Sequence, residues 1–198
     1  MFSIHVDTAR TWRGGQNQVL LTVLGLRARG HRAALVAHPR GELFRRAQEG
    51  TDLYPIAQKS ELDLRAAWRL SRLLRELQPD VVHAHDAHAV ATTALALLLG
   101  GSMCTARFVA SRRLDFHVGK NAFSRWKYRR VDRFICASAV IRSMLINDGV
   151  PASRTTVVYE GIDPDCVEAT AQFNVHAGFW LPMGAPIVGN VAALVPHK

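Results

Sequence analysis

Short apolar runs of strand length alternate along this chain with longer stretches of helical period, and that alternation is what most restricts its fold. Strand-length runs fall at residues 2–6, 33–37, 53–56, 81–85, 107–111, 133–137, 155–159 and 186–191. Between them, residues 16–29 place Val19, Leu20, Val23, Leu24 and Leu26 on one side, and residues 64–77 do the same with Trp68, Leu70, Leu73, Leu74 and Leu77. Successive βα units of this kind predict an α/β fold, a mostly parallel sheet flanked by helices. Gly30 suits a left-handed cap after the first helix, and Pro79 stops the second.

Size and composition agree with that class. A chain of 198 residues with 48% hydrophobic and 21% charged residues can bury a sizeable core, which excludes a disordered polybasic tail. The longest apolar run, residues 89–99, is broken by Thr92 and Thr93 and falls short of the roughly 20 residues that cross a bilayer. The first fifteen residues lack the basic start, apolar run and cleavage site of a secretory signal, so a cytoplasmic location is expected. Cys104, Cys136 and Cys166 are odd in number and form no CxxC pair, which argues for reduced, structural thiols. The composition changes after Asp163. We therefore expect a domain over residues 1–163, a connector over 164–184, and over 185–198 the first strand of a second domain belonging to a longer protein.

Three features gather where strands end. Gly14 and Gly15 precede a helix expected to start near Gln16, where positive φ and open N–H groups suit either a phosphate or simply a tight turn. The loop is neither GxGxxG nor GxxxxGK[ST], which removes the main support for a dinucleotide oxidoreductase or a P-loop protein. The fourth strand leads into His83-Ala-His85-Asp86-Ala-His88, with His83 and His85 on one face at the carboxyl edge where open parallel sheets bind ligands. These histidines read as binding, catalytic or structural groups, and no metal is assigned to them. Arg112 and Arg113 follow the fifth strand at the same edge, placed to meet phosphate or carboxylate.

The formal charge of +9 is concentrated. Residues 107–133 hold nine Lys or Arg against two Asp, interleaved with Phe108, Phe116, Phe123, Trp126 and Tyr128. A short basic helix over 123–131 with an aromatic side suits an anionic membrane surface or a solvated cationic face better than nucleic acid.

In order, these motifs resemble the N-terminal half of a retaining glycosyltransferase of family 4 (GT4), which has the GT-B fold. The matching pieces are Gly14-Gly15, Arg29-Gly30-His31, residues 79–85, residues 124–128 leading to 132–138, Val157 to Asp163, and residues 188–198. The resemblance covers nearly the whole chain. It implies a Rossmann-like, acceptor-binding domain facing a donor-binding one, with a nucleotide-diphosphate sugar as co-substrate and no tightly bound cofactor. It implies that Gly14, Gly15 and Lys198 lie by the donor diphosphate, that Arg13, Gln16, His83 and Arg112 meet the acceptor, and that His85, Asp86 and Arg113 are the catalytic candidates. The expected acceptor is an envelope polysaccharide, lipopolysaccharide or glycolipid, met at the inner face of the plasma membrane. A non-catalytic domain binding a polyanion or membrane surface is the alternative. Three positions depart from the family pattern: Ala193 replaces an arginine, Glu160 an asparagine, and Arg113 stands where many relatives carry an active-site histidine. Arginine does not serve as a base at neutral pH, so Arg113 is expected to bind an anion.

Overall fold

The structure, a computed structural model, describes residues 1–114, 117–119, 121–162, 164 and 173–189. The chain divides into two compact units, Met1–Gly161 and Ile162–Lys198.

The first unit is built on seven parallel strands: β1 (Phe2–Asp7), β2 (Arg32–Ala37), β3 (Asp52–Pro55), β4 (Val81–Ala84), β5 (Arg107–Arg112), β6 (Arg133–Cys136) and β7 (Thr155–Val157). Their spatial order is β3-β2-β1-β4-β5-β6-β7, so the direction of growth reverses between β1 and β4. That reversal is the topological switch point, where connecting loops diverge and leave a crevice at the carboxyl ends. The helices are α1 (Gly14–Ala28), α2 (Glu42–Arg46), α3 (Leu64–Leu77), α4 (Ala87–Gly100), α5 (Ala122–Arg129) and α6 (Ala139–Asn147). The parallel α/β sheet expected from the sequence pattern is present.

Alternation within each strand divides the interior in two. Ile4, Val6, Val36, Val82, Ala84, Phe108 and Phe134 face one way and bury against α3 and α4. Leu35 and Ala37 face the other way and meet Val19 of α1 and Leu43 of α2. Phe108 and Phe134 are fully buried, each contributing roughly 2–3 kcal/mol by the area removed from water. The apolar run at residues 89–99 is the body of α4, buried on most sides because it packs between α3 and α5. Among the described residues, no helix is long and apolar enough to cross a membrane.

Helix ends follow local chemistry. Asp63, Asp86, Asn121 and Ser138 cap α3, α4, α5 and α6 by accepting first-turn N–H bonds. At the end of α1, Gly30 has φ +78°. Its N–H reaches the Arg27 carbonyl at 2.9 Å while that of His31 reaches Leu26 at 3.0 Å, the paired closure that glycine permits.

Two packing expectations change. Trp68 is 51% exposed and Leu24 39% exposed, because Ala66, Ala67 and Ser71, with Leu70 and Leu74, supply the buried face of α3, while Val19 and Val23 supply that of α1. In the second unit the described residues include a short helix α7 (Val175–Gly178) capped by Asn174. Residues 186–189, expected as part of a strand, have no ladder partner among the described residues and are irregular, and residues 190–191 lie outside the described residues. Cys104 and Cys136 are free thiols, whereas Cys166 lies outside the described residues.

Candidate active site

On the side of β1 opposite Ile4 and Val6, the strand presents Ser3, His5 and Asp7, all almost completely buried. The register pairs His5 with His83 across β1 and β4. Period-two alternation continues the same face through His85 beyond β4 and through Ser111 and Arg113 at the end of β5. A polar strip therefore runs across β1, β4 and β5 at the switch point, where a doubly wound sheet is otherwise apolar on both sides.

Side chains in the strip bond to one another. His5 Nδ1 lies 2.9 Å from His85 Nε2, His5 Nε2 lies 3.1 Å from Ser3 Oγ, and His83 Nε2 lies 2.8 Å from Ser111 Oγ. The His83 and His85 rings lie with centroids 4.0 Å apart and planes tilted by 32°. Above them, Arg113 places NH1 and NH2 at 3.2 and 3.3 Å from His85 Nδ1 and pairs through Nε with Glu160. Burial, then the charge of Arg113, lowers the His5 pKa to about 4. Burial and the neighbouring imidazoles hold His83 and His85 well below the ordinary value. All three rings are thus neutral at pH 7. They bring ligand-type nitrogens within 4.8 Å of one another, but His5 and His85 point theirs at each other and Arg113 covers the remaining nitrogen of His85, so the set does not converge on a common centre.

The carboxylates have separate tasks. Asp86 accepts from His88 N and Ala89 N as the cap of α4, and from Thr8 N and Oγ1 at 2.7 and 2.9 Å. Its oxygens are occupied in tying the loop after β1 to the start of α4. Asp7 accepts from Gln16 Nε2 at 3.1 Å and from Ala9 N at 3.0 Å. Burial first, and the nearby Asp86 second, push the Asp7 pKa up to about 6.

A cleft of about 620 Å³ opens over this edge. Of the residues expected at the site, Arg13, Gly14, Gly15, Gln16, His85, Asp86, Arg112 and Arg113 all line it. His83 lies beneath, facing Ser111, and Lys198 is outside the described residues. The glycines differ from expectation in one respect. The helix begins at Gly14 rather than near Gln16, and neither glycine has positive φ. A Cβ on Gly14 would meet nothing within 4 Å, so the backbone does not require glycine there. Nor does any side chain cap α1, and its first turn borders the cleft with the positive end of the helix dipole toward it. Gln16 directs its amide to Asp7, and Arg112 sits near Tyr128, its NH1 3.4 Å from the phenol oxygen.

Four participants escape a motif reading. His5 and Asp7 sit inside a run read as apolar, although the alternation Ser3, His5, Asp7 between Ile4 and Val6 was a usable signal. Lys127 was counted with the surface cations, yet it is buried on the cleft wall, with Nζ 3.0 Å from Glu61 and 3.2 Å from the Ala87 carbonyl. Glu160, known only as a departure from a motif, is the partner of the other departure, Arg113.

Comparison with known proteins bears on the family and the fold. Residues 12–166 match the model of Glycosyltransferase Family 4. A GDP-mannose-dependent alpha-mannosyltransferase of Mycobacterium tuberculosis is 29% identical over 210 residues, covering 93% of this chain and 53% of that protein. The chain thus spans about half the length of this relative. Among solved structures, a glycosyltransferase from Rickettsia africae superposes with a TM-score of 0.73 at 16% identity, covering 93% of this chain and 51% of the other. The lipopolysaccharide outer core galactosyltransferase WaaB gives 0.64 at 11% identity, covering 82% and 46%. Anabaena HepE in complex with UDP and glucose gives 0.62 at 17%, covering 83% and 46%. At these identities the structural likeness is one of fold.

Proposed function

Because this chain belongs to glycosyltransferase family 4, we propose that it is the acceptor-facing half of a retaining enzyme that moves a sugar from a nucleotide-diphosphate donor to a glycan or glycolipid. Residues 1–163 would bind the acceptor, 164–184 connect, and 185–198 open the donor domain. One observation carries the reading: the uncapped start of α1, the carboxyl end of β4 and Arg113 at the end of β5 border a single cleft.

Each group then has a task. The first-turn N–H groups at Gly14 and Gly15 face the donor diphosphate, and Lys198 pairs with it. Donors already aimed at the leaving group stabilise the negative charge that develops as the glycosidic bond to the donor breaks. Arg113 supplies a fixed cation rather than a base. His85, with one nitrogen toward His5 and the other toward Arg113, orients that cation and removes no proton from the acceptor. Asp86 holds the start of α4. Arg13, Arg112 and Gln16 border the acceptor side, and His83 supports it from below. An anionic acceptor in an envelope polysaccharide, lipopolysaccharide or glycolipid suits a cleft walled by Arg112, Arg113 and Lys127. Arg125, Arg129 and Arg130 stand exposed around Trp126 on α5, which supports contact with an anionic membrane surface.

The test is a protein extended beyond residue 198 through a second Rossmann-like domain, assayed with nucleotide sugars. Transfer or slow hydrolysis is expected from the extended protein and none from residues 1–198. Arg113→Ala should lower kcat/KM by about 100-fold or more. Full activity in that variant would remove Arg113 from the mechanism, and an extended protein inert toward every nucleotide sugar would remove the transferase reading.

A further inference from the structure

We propose that His5, which does not line the cleft, is a positioning residue that acts through His85 to fix how Arg113 is presented. The inference rests on the reading above only in taking Arg113 as the cation offered to substrate.

Donor and acceptor chemistry imposes a direction on the chain of contacts. A guanidinium has five N–H donors and no acceptor. Because NH1 and NH2 of Arg113 both lie within hydrogen-bond reach of His85 Nδ1, that nitrogen must offer its lone pair. A neutral imidazole has one N–H, so the proton of His85 resides on Nε2 and is donated to His5 Nδ1, 2.9 Å away. His5 must in turn carry its proton on Nε2 and donate to Ser3 Oγ at 3.1 Å. The order runs Arg113 to His85 to His5 to Ser3, with every member donating inward. Burial keeps the rings neutral, which allows only one proton per ring.

The dependence also runs outward. His5 Nδ1 is what satisfies the buried Nε2–H of His85. Without it, His85 gains by moving its proton to Nδ1 or by turning its ring, and either change sets an N–H, or no nitrogen at all, against the guanidinium. Arg113 would then keep Glu160 and the long contact of NH1 to the His85 carbonyl at 3.5 Å, and lose the ring nitrogen that fixes its aim into the cleft. The fourth residue of the first strand thereby sets the orientation of a group at the end of the fifth.

The experiment is nuclear magnetic resonance of the 198-residue chain labelled with ¹⁵N in histidine and arginine. At pH 7, His5 and His85 should each show a protonated Nε2 and an unprotonated Nδ1, with sharp, slowly exchanging Arg113 Nη–H signals. In His5→Phe, His85 should leave its single tautomer and exchange at the Arg113 Nη protons, which face His85 Nδ1, should quicken at least tenfold. His5→Asn, whose amide oxygen can stand in for Nδ1, should restore both signatures. A proton on Nδ1 of His85 in the unsubstituted chain overturns the proposal without any variant having to fold, as does an unchanged Arg113 signal in a folded His5→Phe chain. No sugar donor enters the measurement, so failure of the transferase reading would show in activity while these spectra stayed as described.

Discussion

His5, His83 and His85 must remain without extra protons in the folded chain, and this couples stability to pH. Unfolded, each takes a proton near 6.5; folded, His5 does so only near 4 and the other two well below 6.5. Asp7 acts in the opposite sense, since its folded pKa of about 6 against 3.8 lets the folded chain hold a proton that the unfolded chain has released. Below pH 6.5 the unfolded histidines take up protons that the folded ones refuse, and the proton held by folded Asp7 offsets only part of that difference. Unfolding free energy should therefore fall on acidification below pH 6.5 and level off above it. Denaturant titrations at pH 5, 6 and 7 measure this, and a flat profile would contradict neutral imidazoles. Asp86→Ala removes the cap of α4 and the tie to Thr8. A loss of about 2 kcal/mol is expected in the same titrations, and unchanged stability would show that the cap is dispensable. At this scale His83, His85 and Arg113 were legible from period and position. His5 was not, because its importance depends on which strand lies beside β1.

Among the elements, α1 permits a clean contrast between glycines. Gly30 closes the helix at φ +78°, so Gly30→Ala should cost about 1 kcal/mol through left-handed strain. Gly14 is the first helical residue, has no positive φ and leaves room for a side chain. Gly14→Ala should therefore stabilise the fold by about 0.5–1 kcal/mol while weakening nucleotide-sugar binding by the extended protein. Thermal unfolding and binding measured together test the pair, and a destabilised Gly14→Ala would return that residue to a purely conformational role. The Gly30 cap and the stop at Pro79 were readable from local chemistry alone. The exposure of Trp68 was not, since helical period names a stripe but not the neighbour, and α4 packs on the small residues of α3.

For the whole molecule, the concentrated charge is smaller at the surface than residue counting suggests, because Lys127 is buried against Glu61 and Arg113 is paired with Glu160. The exposed remainder on and just after α5, Arg125, Arg129 and Arg130, predicts salt-sensitive flotation of the 198-residue chain with anionic but not neutral vesicles. Replacing all three by Ala should reduce vesicle partitioning on the order of 100-fold, at about 1 kcal/mol per cation near the surface. Binding that persists in 1 M salt, or no binding at all, would remove the surface role. Sequence by itself determined the parallel α/β sheet, its helices and the edge over which the cleft opens, because period, caps and breakers act over a few residues. Only tertiary structure decided that His5 underlies His85, that the unusual Arg113 and Glu160 are partners, and that Asp86 also ties Thr8 to the start of α4. Those facts follow from strand order, since placing β1 beside β4 brings together residues about eighty positions apart, and no local pattern encodes which strands become neighbours.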